Sequence, residues 1–329
     1  MKPERILVFQ TAFLGDAILA IPLLKALRTS FPEAKLGFVC RRGVGPFFLE
    51  SGLVQEVIEV DKTDSSNLKK AIKRTQNFKS DLIVSPHRSF RTAFWIWRLG
   101  ARFSVGFKDP WTFFAYKKRV VRPKIEHDVK RQLSLLTGLG IDVLRLPQDI
   151  LSLNVKIPSH EKFSSFSNYV ALSPGSQWET KRWTEEGFIQ VGRKLRADGL
   201  MVIVLGSSVE KELCQRVAQS IPGAVNLCGE TTILELAQIL KLSKFLICND
   251  SGTMHVATAV GTPVVSIFGA TIPSQGYAPW SKKAKIVEID LSCRPCGAHG
   301  HNQCPLKHHD CMKKITSEQV LKATEEFLL

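Results

Sequence analysis

A chain of 329 residues, 44% hydrophobic and without an apolar run long enough to span a bilayer, reads as a globular protein with room for two cores. Lysine and arginine exceed aspartate and glutamate by 45 to 30, which points to an anionic partner: nucleic acid, an acidic membrane surface or a phosphorylated substrate. The N-terminus, MKPERILVFQ, enters a strand-like run at once with no signal-peptide core, so a cytoplasmic setting is expected.

Arg5 to Phe9 reads as a first, buried strand, followed by a loop to Asp16 and a helical pattern through Leu19, Leu23, Leu24 and Leu27. Pro22 sits too deep in that pattern for a first-turn proline, so a kink or irregular first turn is expected. No G-x-G-x-x-G and no G-x-x-x-x-G-K-[ST] occurs anywhere, which removes most of the case for a nicotinamide-cofactor or P-loop protein. Asp16 stands at the C-terminal end of a strand, near a helix start, where open α/β sheets place their ligands. It reads either as a helix cap or as a carboxylate that accepts a proton from a substrate hydroxyl.

Strands at Lys35–Cys40, Glu56–Val60 and Asp81–Val84 alternate with helices near Val44–Glu50 and Asn67–Gln76. That order makes the fold class α/β with a parallel sheet. The segment His87–Lys124 then holds ten Lys/Arg, one acid (Asp109) and ten aromatic side chains, with Arg88, Arg91, Arg98 and Arg102 at near-helical spacings. Such a segment could grip an anionic amphiphile at a membrane or stack and pair with nucleic acid. It could also be a solvated basic helix whose aromatics face the core. A helix over Asp128–Leu139 precedes a proline-bearing loop, and a boundary between Pro158 and Asn168 divides the chain into domains 1–160 and 161–329.

Tyr169–Leu172 opens a second α/β series and leads into Ser173-Pro174-Gly175-Ser176 and on to Lys181, before a helix over Thr184–Asp198. Small residues after a strand let the backbone approach phosphate, and Lys181 can supply a charge to a diphosphate. Met201–Leu205 is the next strand. Glu210 just past it is either a ribose-binding acid or an ordinary first-turn acid. Ala224–Leu227 and Thr232–Leu240 read as strand and helix. The stretch Lys244–Gly269 then gives a strand (Phe245–Cys248), a turn (Asn249–Gly252), a helix (Thr253–Val260) stopped by Gly261 and Pro263, and a strand (Val264–Phe268). Such a helix N-terminus suits an anion. Gly252 lets a ligand approach the backbone, and Ser251, Thr253 and His255 add donors. The alternative is an ordinary helix capped by Ser251 or Asp250.

Cys40, Cys214, Cys228 and Cys248 lie mostly in apolar segments and read as small buried hydrophobes. Cys293, Cys296, Cys304 and Cys311 fall together in the tail, beside His299, His301, His308 and His309. Cys293-x-x-Cys296 suits a metal knuckle, but the gap between Cys304 and Cys311 is loose for zinc. A reduced loop packed against the ligand cleft is the favoured reading, and structural zinc the alternative. Thr316-Ser317-Glu318-Gln319 is a capping box opening a last amphipathic helix, expected to pack back onto the protein.

Five stretches, in this order, resemble the ADP-heptose:lipopolysaccharide heptosyltransferases of glycosyltransferase family 9. They are TAFLGDAILAIPLLKALR, HRSFRTAFWIWRLGARFSVGF, SPGSQWETKRW, NDSGTMHVATAVGTPVVSIFG and CRPCGAHGHNQCPLKHHDCM. The resemblance covers nearly the full length and is greatest to the heptosyltransferase II branch. It implies a GT-B fold: two Rossmann-like domains with parallel sheets facing a central cleft, acceptor on the N-terminal half and nucleotide sugar on the C-terminal half. In such a fold the last helix can cross to the N-terminal domain.

The resemblance also implies roles. Asp16 would be the general base, freeing a heptose hydroxyl of the inner-core acceptor for inverting attack on ADP-heptose through an oxocarbenium-like transition state. Ser251, Gly252 and Thr253 at the helix N-terminus, with Lys181, would take up charge on the leaving ADP without a metal ion or other cofactor. Ser176, Glu210, Asp250 and His255 would line the donor site, and Arg88 and Arg91 would meet acceptor phosphates. The implied partners are the nucleotide-sugar donor and a lipopolysaccharide acceptor at the cytoplasmic face of the inner membrane, not nucleic acid. Two alternatives stay open at this point. One is a transferase of the same fold with a different sugar or acceptor; the other is a non-catalytic nucleic-acid-binding protein.

Overall fold

The computed structural model describes residues 2–158, 163 and 166–328. The chain forms two compact units, Met1–Lys156 and Ile157–Leu329. Each apolar run that is buried on both faces has become a strand, because helices cover both sides of a parallel sheet.

In the first unit the order is β1 (Arg5–Gln10), α1 (Leu14–Ile18), α2 (Ile21–Ser30), β2 (Lys35–Arg41), α3 (Gly45–Glu50) and β3 (Glu56–Val60). It continues with α4 (Ser65–Phe78), β4 (Leu82–Ser85), α5 (Phe90–Leu99), β5 (Phe103–Phe107), β6 (Lys118–Val120) and α6 (Asp128–Leu133). The strands pair in parallel in the order β3-β2-β1-β4-β5-β6. Ile6 through Phe9 of central β1 are at most 1% exposed. The irregularity expected at Pro22 is a break: α1 stops at Ile18, and α2 restarts at Ile21 with the proline in its first turn. There the missing N–H would have had no helical partner anyway.

The second unit repeats the plan with β7 (Tyr169–Ser173), α7 (Glu185–Ala197), β8 (Met201–Val204), α8 (Lys211–Gln219), β9 (Val225–Asn226) and α9 (Ile233–Leu242). Then come β10 (Leu246–Asn249), α10 (Gly252–Ala259), β11 (Val264–Ile267), β12 (Ala284–Val287), α11 (Asp310–Lys313), α12 (Ser317–Lys322) and α13 (Glu325–Leu328). Its parallel order is β12-β11-β10-β7-β8-β9, the same winding read from the other edge. Thr316 and Gln319 form the expected capping box on α12. The C-terminal helices pack on this unit: Val320 enters its core, and the Phe327 ring meets Phe245 with centroids 6.2 Å apart.

Three strands do not stand out in the sequence: β5 inside the basic aromatic segment, and the edge strands β6 and β12. Short edge strands carrying Lys and Arg lose the alternating or continuous apolar pattern that marks a strand. The Asp128–Leu139 helix is α6 followed by a 3-10 segment at Ser134–Leu139. Among the described residues, no helix is long and apolar enough to cross a membrane.

One packing contact bears on the site. Trp183, 3% exposed, stacks edge-on against Phe188 with centroids 5.1 Å apart and donates its indole N–H to the Ile315 carbonyl. A Cβ on Gly187 would lie 2.3 Å from that indole. Alanine is the better helix former by about 1 kcal/mol, but overpacking costs about 1–3 kcal/mol. Gly187→Ala is therefore expected to lower the melting temperature by several degrees; an unchanged or raised value in a thermal melt would contradict this packing.

Candidate active site

In an open parallel sheet, ligands collect beyond the C-terminal ends of the strands where the winding reverses. In the first unit that place lies between β1 and β4, in the second between β7 and β10. The loops after these four strands carry most of the residues singled out in the sequence: Asp16 after β1, Arg88 after β4, Ser176 and Lys181 after β7, and Asp250, Ser251, Gly252 and Thr253 after β10.

Asp16 sits in the first turn of α1. Burial, and then the charge of Asp128, push its carboxyl up from 3.8 to about 6, against hydrogen bonds from backbone and the charge of Arg122. Asp128 is itself 5% exposed and paired with Arg122 at 2.9 Å. Gln132 ties this group to the helix, donating to Asp128 Oδ2 at 2.7 Å and to the Asp16 carbonyl at 3.3 Å. Arg88 is pinned bidentately on the buried Asp109, with Nε 2.9 Å from Oδ2. Arg91 is exposed on α5.

Two further groups here stand out in no local sequence pattern. Lys62 donates to the Thr11 carbonyl at 2.7 Å, and its pKa is lowered by burial and by the charges of Arg91 and Arg41. His87 shares Nδ1 with the hydroxyls of Thr11 (3.1 Å) and Thr92 (2.8 Å), and burial with the charge of Lys62 takes it down to about 4. It is a neutral imidazole at physiological pH, and the local positive field comes from Lys62, Arg41 and Arg91.

In the second unit Lys181 Nζ lies 2.6 Å from Asp250 Oδ2, and the Thr271 hydroxyl donates to the same oxygen at 2.7 Å. Ser176, 3% exposed, donates to the Asp250 carbonyl at 3.1 Å, so its hydroxyl holds the loop. Ser251 precedes α10 without capping it, and its Oγ has no hydrogen-bond partner among the described residues. The first N–H groups of α10, with Gly252 and Thr253, face no capping side chain and keep the partial positive charge of a helix start. His255 is buried one turn into the helix, at 4% exposure. Glu210 Oε2 accepts from the Ser207 N–H (2.7 Å) and hydroxyl (2.6 Å), the first-turn role the sequence allowed. Its Oε1 lies where a Cβ on Gly175 would come within 2.0 Å, so the side chain also reaches the loop after β7.

The cysteine-rich tail is built into this site from two sides. His301 and Thr180 exchange hydrogen bonds: the Thr180 N–H donates to the His301 carbonyl (3.0 Å), and the His301 N–H to Thr180 Oγ1 (2.7 Å). Behind Thr271, the guanidinium of Arg294 donates to the carbonyls of Thr271 (2.9 Å), Gly269, Phe268 and Ile289. His299 is lowered by burial and by the charge of Lys181. Cys296 Sγ lies 3.2 Å from the Cys293 carbonyl, Cys304 is half-buried, and Cys311 is buried in the core of this unit. Among the described residues, no group of three or more His, Cys, Asp or Glu side chains is placed to hold a metal ion, although the Cys293, Cys296, Cys304 and Cys311 thiols lie near enough to act on one another electrostatically.

Residues 67–308 match the profile of glycosyltransferase family 9 (heptosyltransferase). The chain is 28% identical to lipooligosaccharide heptosyltransferase 2 of Campylobacter jejuni over 97% of each chain. It is 24% identical to lipopolysaccharide heptosyltransferase 2 of Escherichia coli K12 over 99% of each. The solved structure of E. coli ADP-heptose lps heptosyltransferase II superposes with a TM-score of 0.82 at 22% identity, covering 100% of this chain and 98% of that one. The two six-stranded parallel sheets with their helices are thus a GT-B fold.

The Asp16 carboxyl has a stability consequence. Its folded pKa of about 6 lies above the unfolded 3.8, so folding favours the protonated form. The stability this lends is present below about pH 4 and is lost as pH rises through 6. Asp16→Asn is expected to be more stable than the parent at pH 7 by about 2 kcal/mol, after allowing for lost hydrogen bonds, with the gain fading towards pH 4. Thermal melts at the two pH values check this, and a destabilised variant at pH 7 would contradict it.

Proposed function

The chain belongs to glycosyltransferase family 9, and from that premise we propose that it transfers heptose, with inversion, from ADP-heptose to a heptose of a lipopolysaccharide inner core. The observation that carries the reading is the Asp16 carboxyl. At about 6 it is ionised at neutral pH yet basic enough to take a proton from a sugar hydroxyl in the transition state. Family membership as an enzyme sets aside the non-catalytic nucleic-acid-binding alternative.

On this reading the acceptor hydroxyl gives its proton to Asp16 as its oxygen attacks the anomeric carbon, and the bond from that carbon to the β-phosphate oxygen breaks. The charge gathering on ADP is met by the N–H groups at Gly252 and Thr253, the Ser251 hydroxyl and the Lys181 ammonium. An ammonium has three donors, so Lys181 can hold Asp250 and a phosphate oxygen together. Asp250 orients the cation, while Ser176 and Thr271 orient Asp250. Glu210 offers its second oxygen to the nucleoside, and His255 supports the helix start. Arg91, with Lys62 and Arg41, supplies positive charge for acceptor phosphates, and Arg88 is held in reserve on Asp109. The acceptor is lipid-borne, so the reaction is assigned to the cytoplasmic face of the inner membrane.

Incubation with ADP-heptose and a heptose-deficient lipopolysaccharide acceptor, read by mass analysis of the product, tests the activity and identifies the sugar added. Asp16→Ala is expected to cut turnover at least about a hundredfold while leaving ADP affinity within a few-fold; undiminished turnover removes Asp16 from the chemistry. Asp128→Asn deletes a negative neighbour, so the acidic limb of kcat/KM should move to lower pH; a limb that stays put separates Asp128 from the titrating group. Lys181→Ala is expected to weaken donor binding and slow the chemical step together, and normal kcat with a raised KM would restrict Lys181 to donor binding.

A further inference from the structure

Helix α5 is two-faced in an unusual sense. Thr92, Ala93, Trp95 and Ile96 are buried, but the outward face also carries large aromatics. Phe90, Phe94 and Trp97, at i, i+4 and i+7, are 59%, 42% and 51% exposed, and Phe113 in the loop after β5 is 68% exposed. These rings form one surface. Phe90 meets Phe94 with centroids 6.4 Å apart, Phe94 meets Trp97 at 5.6 Å, Trp97 meets Phe114 at 6.1 Å, and Phe114 meets Phe113 at 5.5 Å. Single exposed hydrophobes are ordinary, but a joined aromatic patch marks an interaction site.

The exposed charge along the same segment has one sign. Arg98, Arg102, Lys108 and Lys117 between α5 and β6 are exposed. The single acid between His87 and Lys124, Asp109, is 6% exposed and held by Arg88. Cations without exposed carboxylates among them fit an anionic surface. Trp and Phe beside Arg and Lys fit the headgroup region of a bilayer, where rings bury and cations meet lipid phosphates. The rings are less suited to nucleic acid: Trp97 and Phe113 stand at 84° and 83° to Phe114, so the cluster from Trp97 to Phe113 does not present parallel faces to consecutive bases.

We propose that the aromatic face of α5 and the Phe113 loop is a docking surface for an anionic lipid bilayer. The inference rests on the reading that the acceptor is lipid-borne, and it goes further by naming the face that meets the lipid. Docking there keeps the enzyme on the surface that displays its acceptor.

The test uses the full chain and vesicles that hold neither donor nor acceptor, so that docking and transfer are read separately. Flotation is expected to show binding to phosphatidylglycerol-rich vesicles, little binding to pure phosphatidylcholine, and weakening in high salt. The triple variant Phe94→Gln, Trp97→Gln, Phe113→Gln should lower the partition coefficient at least about tenfold. Arg98→Gln with Arg102→Gln should lower it by about fivefold per charge. Turnover on a lipid-free oligosaccharide acceptor should be unchanged in the triple variant. Absence of binding to anionic vesicles, or equal partition of parent and triple variant, overturns the proposal. So does an aromatic face that the same variant shows to mediate self-association or oligonucleotide binding in the absence of lipid. If vesicles are not bound while the lipid-free acceptor is still turned over, docking fails and the transferase reading stands.

Discussion

The second unit depends on a side chain that carries no charge. Asn249 ends β10 with no exposed surface, its amide N–H donating to the Pro174 carbonyl at 2.8 Å and its Oδ1 accepting from the Trp183 N–H at 2.9 Å. It joins the two strand ends that flank the winding reversal and grips both ends of the loop carrying Ser176 and Lys181. A buried amide left unpaired would cost about 1–3 kcal/mol, so a fully engaged one fixes its neighbours. The next residue, Asp250, is thereby set opposite Lys181, and their 2.6 Å pairing follows from this anchoring. Thr271 and, behind it, Arg294 then constrain the carboxylate from the β11 side.

The two aspartates at the strand ends are treated in opposite ways. Asp250 is buried against an ammonium and two hydroxyl-bearing neighbours. Asp16 stands half-buried beside another negative group, Asp128, with Arg122 offsetting only part of that charge, and its carboxyl is raised. Environment thus separates two residues of the same side-chain chemistry. Burial next to a like charge raises a carboxyl's affinity for a proton at the expense of folding stability. That expense is characteristic of functional positions.

Much of the fold was legible because parallel strands covered on both faces are continuous apolar runs, and β1, β2, β7, β8, β10 and β11 are of that kind. β6 and β12 escaped because edge strands keep charges. The loops holding Asp16, Lys181 and Asp250 were legible for a local reason: small or polar residues directly between a strand and a helix. What was not legible is everything assembled from distant parts of the chain. Thr11 and His87 meet across 76 positions, Lys62 reaches Thr11 across 51, and nothing local distinguishes Lys62 from other surface lysines. Asn249 read as a turn former, and Asp128 only as the first residue of a helix. Glu210 was open in both directions, and one of its oxygens took the capping role.

The cysteine- and histidine-bearing tail lies close against polar backbone. His309 uses its ring nitrogen on the Thr180 carbonyl at 3.0 Å, and Gly300, at φ +83°, brings backbone against Thr180 and the Lys181 stem where a Cβ would be 3.0 Å from Thr180 Oγ1. Burial pushes the Cys311 thiol up to about 11, so it stays neutral and unreactive at physiological pH. His299, lowered by burial and by Lys181, is neutral as well. The tail thus lays its backbone against the Lys181 stem without bringing a carboxylate to the ammonium, whose carboxylate partner among the described residues is Asp250.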